Sequence, residues 1–402
     1  MMTAARVPHC PGNVRVIMWA FFPSNGHPTL RLWMTGPSPD HLPLFPTQAI
    51  GSLPRPQLVR DLLGQRQTLP QQEWRARLDD CVRFAIQLQQ QAGLDIISDG
   101  EWRRTQYIHE FLSRAGGFRR CRRYQHQGQS RLGLVVVERM QTATPVFVED
   151  AQFLVDNARA VTKATLPSPF LIAVRYWQPE YSAAAYPTCE HFLEHLAEIL
   201  AREAQALETT GVQIIQLDDP ALAYFCDRRL TSGQAIHDER LQRDWDIGRD
   251  LGHAIDAINC VCAGLEVETH LHCCHSVSKR HSDVQGNYQP ILPRLTALQV
   301  DQLNLEFAYP DTGDVADLKH VPEHFRVGMG VVDVRKERLP SVAEIADLVQ
   351  RGLVHLAPER IVLNPDCGFA PDAGEPPTLD EAYTKLCRLV AAARQLRAEL
   401  AA

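Results

Sequence analysis

Three separated fragments of this 402-residue chain carry the residue types of a metal centre: Glu268-Thr-His-Leu-His-Cys-Cys-His275, Leu305-Glu306-Phe307 and Asn364-Pro-Asp-Cys-Gly368. Imidazole, carboxylate and thiolate together form the ligand set of a catalytic zinc ion. Such an ion does chemistry on sulfur. A free thiol, with a pKa of about 8.5, is mostly protonated at neutral pH, whereas a zinc-bound thiol is deprotonated. Side chains alternate along a strand, so His270, His272 and Cys274 share one face while Leu271 and Cys273 share the other. Two of the first three can grip one metal, and Glu306 and Cys367, at the ends of later strands, complete the site. Several protein ligands with one exchangeable position suit activation of an incoming thiol better than a closed structural zinc. His275 and His281 are read as solvated loop residues.

Eight apolar, β-branched runs could position these groups: Gln48 to Ser52, Leu94 to Glu101, Phe170 to Tyr176, Val212 to Asp219, Leu265 to Cys273, Gln302 to Phe307, Phe325 to Asp333 and Arg360 to Gly368. Helical patterns lie between most of them. Leu78, Val82, Ala85 and Ile86 recur on one face before Gly93; Phe192, Leu196, Ile199, Leu200 and Leu207 do so before Gly211. Ser341 with Glu344 forms a capping box that opens another helix. The alternation predicts a single α/β domain folded as a (β/α)₈ TIM barrel. Active-site groups of such barrels sit at the C-terminal ends of strands, and nearly every run here ends in a polar or aromatic residue: Ser52, Glu101, Trp177, Asp218 with Asp219, the His270 cluster, Glu306, Asp333 and Cys367. A doubly wound sheet ranks second, because no glycine-rich phosphate fingerprint follows the first strand. Residues 113 to 160 break the alternation and predict a hairpin-like insertion after the second strand, beside the barrel mouth.

With 45% hydrophobic and 22% charged residues, the chain has the composition of a soluble globular protein. Its formal charge of -7 argues against a nucleic-acid or anionic-membrane surface, which leaves a small-molecule partner. No stretch reaches the roughly 18 apolar residues of a membrane span. Residues 1 to 40 lack periodicity and are expected to be a poorly ordered extension, with Met34 as a candidate start, and 41 to 402 form the barrel. The Val16 to Phe22 run lacks the cleavage site of a signal peptide. Eleven scattered cysteines do not form a disulfide framework and point to the cytoplasm.

Ile50-Gly51-Ser52-Leu-Pro-Arg55, Asp99-Gly-Glu101-Trp-Arg-Arg104, Gln216-Leu-Asp218-Asp-Pro-Ala-Leu222, Thr269-His270, Leu305-Glu306, Gly330-Val-Val-Asp333 and Asn364-Pro-Asp-Cys367-Gly occur in that order. Together, from about residue 47 to 372, they resemble the C-terminal catalytic barrel of cobalamin-independent methionine synthase and its single-barrel relatives. The full-length synthase is a tandem of two barrels, of which the N-terminal one has no counterpart here. The resemblance implies zinc-dependent transfer of a methyl group to a small-molecule thiol, with homocysteine as acceptor and methyltetrahydrofolate or a methylcorrinoid as donor. By similarity, Ser52 binds the amino-acid carboxylate, Glu101 and Asp218 hold its ammonium group, and Trp177 matches the region that stacks the pterin ring. A structural alternative for Glu101 is an ion pair with Arg103 or Arg104. Asp219 stands where the family usually has Glu.

Two departures matter. The family's zinc motif reads His-x-Cys, often after Thr; keeping Thr269-His270 in register makes His270 and His272 the ligands, and sliding by two makes them His272 and Cys274. The first register is favoured, with Cys274 as the alternative to His270. The synthase pattern also places a His, implied in proton relay, two residues beyond the Asp matching Asp333. Here that position is Arg335, which stays protonated and cannot serve as an ordinary general acid. Asp333 and Arg335 are the catalytic candidates. Two other functions compete: an epoxide-opening, coenzyme M-type thiol lyase using the same zinc thiolate, with Arg335 and the Arg119 to Arg123 run receiving a sulfonate, and a degenerate barrel that stores or senses metal.

Overall fold

The computed structural model describes residues 38–126, 128–141, 144–234, 239–241, 243–278, 280–371 and 377–402. Residues 1–37, and with them most of the expected extension, lie outside the described residues. The architecture is α/β, built on one curled parallel sheet of seven strands. Its members are β1 (Ile96–Ile97), β4 (Val161–Pro167), β5 (Ile214–Asp218), β6 (Glu268–Cys273), β9 (Gln302–Glu306), β10 (Arg326–Val332) and β11 (Ile361–Pro365), adjacent in that order. Between β1 and β4 runs an antiparallel pair, β2 (Phe118–His126) and β3 (Gln129–Val136). A short pair, β7 (Val277–Ser278) and β8 (His281–Ser282), follows β6.

The eighth position of the barrel is held by a bridge rather than a strand. Thr47 pairs in parallel with Leu363 of β11 and Gln48 with Ile96 of β1, so residues 47–48 join the two edges of the sheet. Leu363 donates to Pro46 O at 2.7 Å and Ile96 to Thr47 O at 3.0 Å. Closure of this kind leaves no open sheet edge.

Helices cover the outside of the sheet through the apolar faces read from the sequence. Leu78, Val82, Ala85 and Ile86 of helix Gln71–Ala92 are buried, and so are Phe192, Leu196, Ile199, Leu200 and Leu207 of helix Cys189–Glu208. Burying each such Leu or Ile contributes roughly 1.5–3 kcal/mol. Ser341 and Glu344 close a reciprocal capping box at the start of helix Val342–Gly352.

Phe170 to Tyr176, expected as a strand, is instead helical. Ser168 accepts from Phe170 N as an N-cap and Pro169 occupies the first turn, where its missing N–H costs nothing. The strand lies one segment earlier, in Val161-Thr-Lys-Ala-Thr-Leu-Pro167. Its inward side chains are polar because the barrel interior is polar. Lys163 Nζ donates to Gln48 Oε1, Ala49 O and Gln216 Oε1 at 2.7–2.8 Å. Asn304 bridges this group, accepting from Gln48 and Gln302 and donating to Gln216. Buried amides and an ammonium survive here because they satisfy one another. No helix among the described residues is long and apolar enough to cross a membrane.

Candidate functional site

At the C-terminal mouth of the barrel a cavity of about 450 Å³ is lined by Ser52, Glu101, Asp218, His272, Cys274 and Cys367, with Arg175 and hairpin residues facing them. Strand β6 delivers His272, and Cys274 follows directly on the strand's last residue. The segment after β11 delivers Cys367. The ligand atoms of His272, Cys274 and Cys367 all lie within 4.8 Å of one another, and all three residues are buried. Neither ring nitrogen of His272 makes a hydrogen bond of ordinary geometry, an exposed debt for a buried imidazole. Burial disfavours the charged ring, yet the neighbouring Cys274 sulfur, Asp218 and Glu306 raise its pKa to about 9. The adjoining Cys367 thiol and His272 hold Cys274 well below the ordinary thiol range. Two sulfurs and an unsatisfied imidazole at this spacing are a donor set for a borderline-soft metal such as zinc.

His270, the favoured partner of His272, is not in this group. It shares the strand face, but lies two residues, about 6.6 Å, deeper toward the N-terminal end of the barrel. There its ring bonds Glu268, which also pairs with Arg326. Cys274 occupies the position instead. Strand parity places the three residues on one face without saying which reach the mouth.

Glu306 ends β9, fully buried, with both oxygens engaged. Oε1 accepts from Arg335 Nη2 at 2.7 Å, and Oε2 accepts from His275 N at 3.0 Å and meets its Nδ1 at 2.8 Å. Burial opposes its charge, but Arg335 and His275 prevail and its pKa falls to about 2. His275, expected to be solvated, is completely buried: its Nε2 meets Gly286 O at 2.7 Å and its ring lies against Tyr288. The chain beyond β8 folds back onto it, with Asp283 N and Val284 N donating to His275 O, a contact that sequence spacing could not show. His281 remains exposed. Asp333 accepts from Arg335 N at 2.7 Å, so it shapes the loop that aims the guanidinium at Glu306. Asp366 anchors the same region by accepting from the backbone of Phe307 and Ala308.

The other wall of the cavity is built by close approach. Glu101 has a φ of 57°, the left-handed region, which a non-glycine residue occupies only when its surroundings impose it. Asp99 accepts from its N–H, and Arg55 binds its carbonyl. Thr165 donates to its Oε1 at 2.8 Å, and Arg104 lies 3.8 Å from the same oxygen. Arg103 pairs with Asp79 and Asp150 instead. A Cβ at Gly51 would come within 2.6 Å of Glu101 Oε1, and one at Gly368 within 2.4 Å of Ser52 Oγ, so glycine at both points lets these side chains lie against the backbone. Ser52 Oγ accepts from Ala370 N. Burial raises the Asp218 pKa to about 7, against a hydrogen bond from Gln216. Asp219 faces away from the cavity, receiving hydrogen bonds from Ser168 Oγ and Ala221 N.

Trp177 does not line the cavity. It follows the helix Pro169–Tyr176 as its C-cap, and its indole donates to Tyr186 O at 3.0 Å. The turn of that helix presents Arg175 and Tyr176 to the cavity instead. Arg175 was not singled out from the sequence, because the segment read as a strand. The β2–β3 hairpin adds Arg120, Tyr124, His126 and Arg131 to the lining. A lone basic run gives no sign of which residues its fold will turn inward.

The family model described as "Cobalamin-independent synthase, Catalytic domain" matches residues 45–395. The methionine synthase of Pyrococcus furiosus is 28% identical over 365 residues, 89% of this chain and 95% of that one. The 5-methyltetrahydropteroyltriglutamate--homocysteine methyltransferase of Bacillus licheniformis is 27% identical over 90% of this chain, but the match spans 44% of that longer protein. Among solved structures, a B12-independent methionine synthase from Shewanella sp. W3-18-1, in complex with selenomethionine, superposes with a TM-score of 0.73 at 25% identity, covering 89% of this chain and 99% of that one.

Proposed function

This chain belongs to the cobalamin-independent synthase catalytic-domain family, and on that premise we propose that it methylates the thiol of homocysteine to give methionine in a zinc-dependent reaction. The observation that carries the proposal is the convergence of His272, Cys274 and Cys367 at the mouth of the cavity. These three would hold the ion. Glu306 would join them when one of its oxygens leaves Arg335 or His275. When bound, zinc would supply the Lewis acidity that keeps a substrate thiol deprotonated at neutral pH.

The chain's own residues bind and orient the acceptor. Glu101 and Asp218 line the wall beside the sulfur cluster, where two carboxylates favour an ammonium group. Ser52, fixed under Gly368, is placed for the carboxylate of the same amino acid. Transfer forms a sulfur–carbon bond and breaks the donor's bond to that methyl, with methyltetrahydrofolate or a methylcorrinoid as donor class. Arg335 cannot return a proton to a leaving amine. Its role is to fix Glu306, with Asp333 shaping its loop. The epoxide-opening alternative uses the same thiolate, and Arg120 of the run assigned to its sulfonate lines the cavity, but the family match favours methyl transfer. We place it in the cytoplasm, the setting expected from cysteines scattered along a long chain.

The test is turnover of homocysteine with each methyl donor by the zinc-loaded protein and by its Cys274→Ala variant. Methionine formation by the first and its loss in the second support the assignment. Turnover undiminished in Cys274→Ala removes it.

A further inference from the structure

One cation in the cavity has no role in the acceptor-binding wall. Arg175 donates through Nε to Tyr224 Oη at 2.8 Å and through Nη2 to Ser276 Oγ at 3.2 Å. Both partners are hydroxyls. Among the described residues no carboxylate oxygen comes within 4.0 Å of it, whereas Arg104 and Arg335 each meet one. A guanidinium carries five donors, so its two bonds leave most of its fork unspent. Its anchor is built with care: Ser276 holds a φ of 54°, a left-handed conformation for a non-glycine residue, two positions beyond Cys274. Tyr224 is itself buried, locked edge-on against Trp245.

The lining brings together the carboxylates of Glu101, Asp218 and Asp283 and the guanidinium groups of Arg175, Arg120 and Arg131, with His272, Cys274 and Cys367. The charge of Asp283 is one of those that favour the protonated form of Arg175. A planar, pre-anchored guanidinium is suited to a carboxylate or similar oxyanion in a forked pair.

We propose that Arg175 recognises a compact oxyanion, a carboxylate, sulfonate or phosphonate, carried by the substrate that delivers the methyl group, with Arg120 and Arg131 of the hairpin as an electrostatic rim. The assignment to the donor rests on placing the amino-acid acceptor at Ser52, Glu101 and Asp218. Those residues take the acceptor, so Arg175 is left for the other reactant. The basic hairpin and the helix turn carrying Arg175 thereby set donor specificity.

Calorimetric titration of the full-length protein with acetate, methanesulfonate and methylphosphonate tests this directly. At least one probe binds the wild-type chain, and the tightest identifies the oxyanion class. Arg175→Gln weakens that binding about tenfold or more, the range for hydrogen bonds to a charged group, and Arg175→Lys keeps part of it. Should Arg175→Gln fail to fold, Ser276→Ala, which loosens one anchor and leaves the charge, weakens it by a smaller factor. Cys274→Ala binds the probe as the wild type does, so loss of zinc in that variant reports on the metal centre alone. The proposal is overturned if no probe binds the wild-type chain, or if the folded Arg175 or Ser276 variant binds as tightly as wild type.

Discussion

Arg335 donates to Glu306 at 2.7 Å with both side chains shut off from water, and His275 grips the carboxylate's other oxygen. Glu306 is therefore held between two basic groups directly behind the sulfur cluster. A buried carboxylate is tolerated only with such compensation. The guanidinium of Arg335 thus serves here as the partner of a ligand candidate.

Removing one partner exposes the cost of the pair. Arg335→Ala is expected to lower unfolding free energy by about 3–5 kcal/mol, because it strands a buried charge. Arg335→Met combined with Glu306→Gln should recover most of the loss. Urea denaturation of the three proteins measures both effects, and additive losses in the double variant would contradict the coupling.

Metal content separates the two registers of the histidine motif. Cys274→Ala and His272→Ala should fall from about one equivalent of zinc to near zero, since each contributes a ligand. His270→Ala should keep its zinc, because the ring faces Glu268 deep in the barrel. Retention by Cys274→Ala with loss from His270→Ala would restore the register favoured from sequence.

A methyl group at Gly368 tests the acceptor wall, with zinc content as the control on the adjacent Cys367. The added Cβ would press on Ser52 Oγ from 2.4 Å. Gly368→Ala should raise KM for homocysteine about tenfold, in line with the loss of one charge-assisted hydrogen bond, at unchanged zinc content. An unaltered KM would remove Ser52 from the binding site.

Lys163 ties stability to pH. Burial in the barrel interior lowers its pKa from 10.5 to about 7, opposed by Asp218, Glu268 and Glu101. Between these values the unfolded chain binds the proton that the folded chain refuses, so stability rises with pH from about 7 to about 10 at up to ~1.4 kcal/mol per unit. It is lost as pH falls through that window. Lys163→Met should abolish this slope in denaturation curves at pH 7, 8 and 9; an equal slope in both proteins would show that Lys163 is not its source.

The barrel was legible because its helices keep apolar faces at helical spacing and its later strands end in chemistry. The third strand was hidden by the polar interior: Lys163 and Thr165, which point into it, do not look like a core strand, whereas the apolar Phe170-Leu-Ile-Ala-Val174 does. That run is buried against neighbouring elements as a helix, where continuous apolarity serves equally well. At the site, Ser52, Glu101, Asp218, His272 and Cys367 meet in the cavity as a set. Depth along β6 sets His270 apart from the group of His272, Cys274 and Cys367, and contacts from residues 283–288 turn His275 from a loop residue into a buried partner of Glu306. Neither property is written in residue spacing. Arg175 was missed for the same reason as the helix that carries it.

Zinc X-ray absorption of the full-length protein, recorded with and without homocysteine, addresses the thiol chemistry most directly. The free protein should show two sulfur ligands and one imidazole, and homocysteine should add one further sulfur to the shell. A sulfur count that does not change on adding homocysteine would contradict thiol activation at this centre.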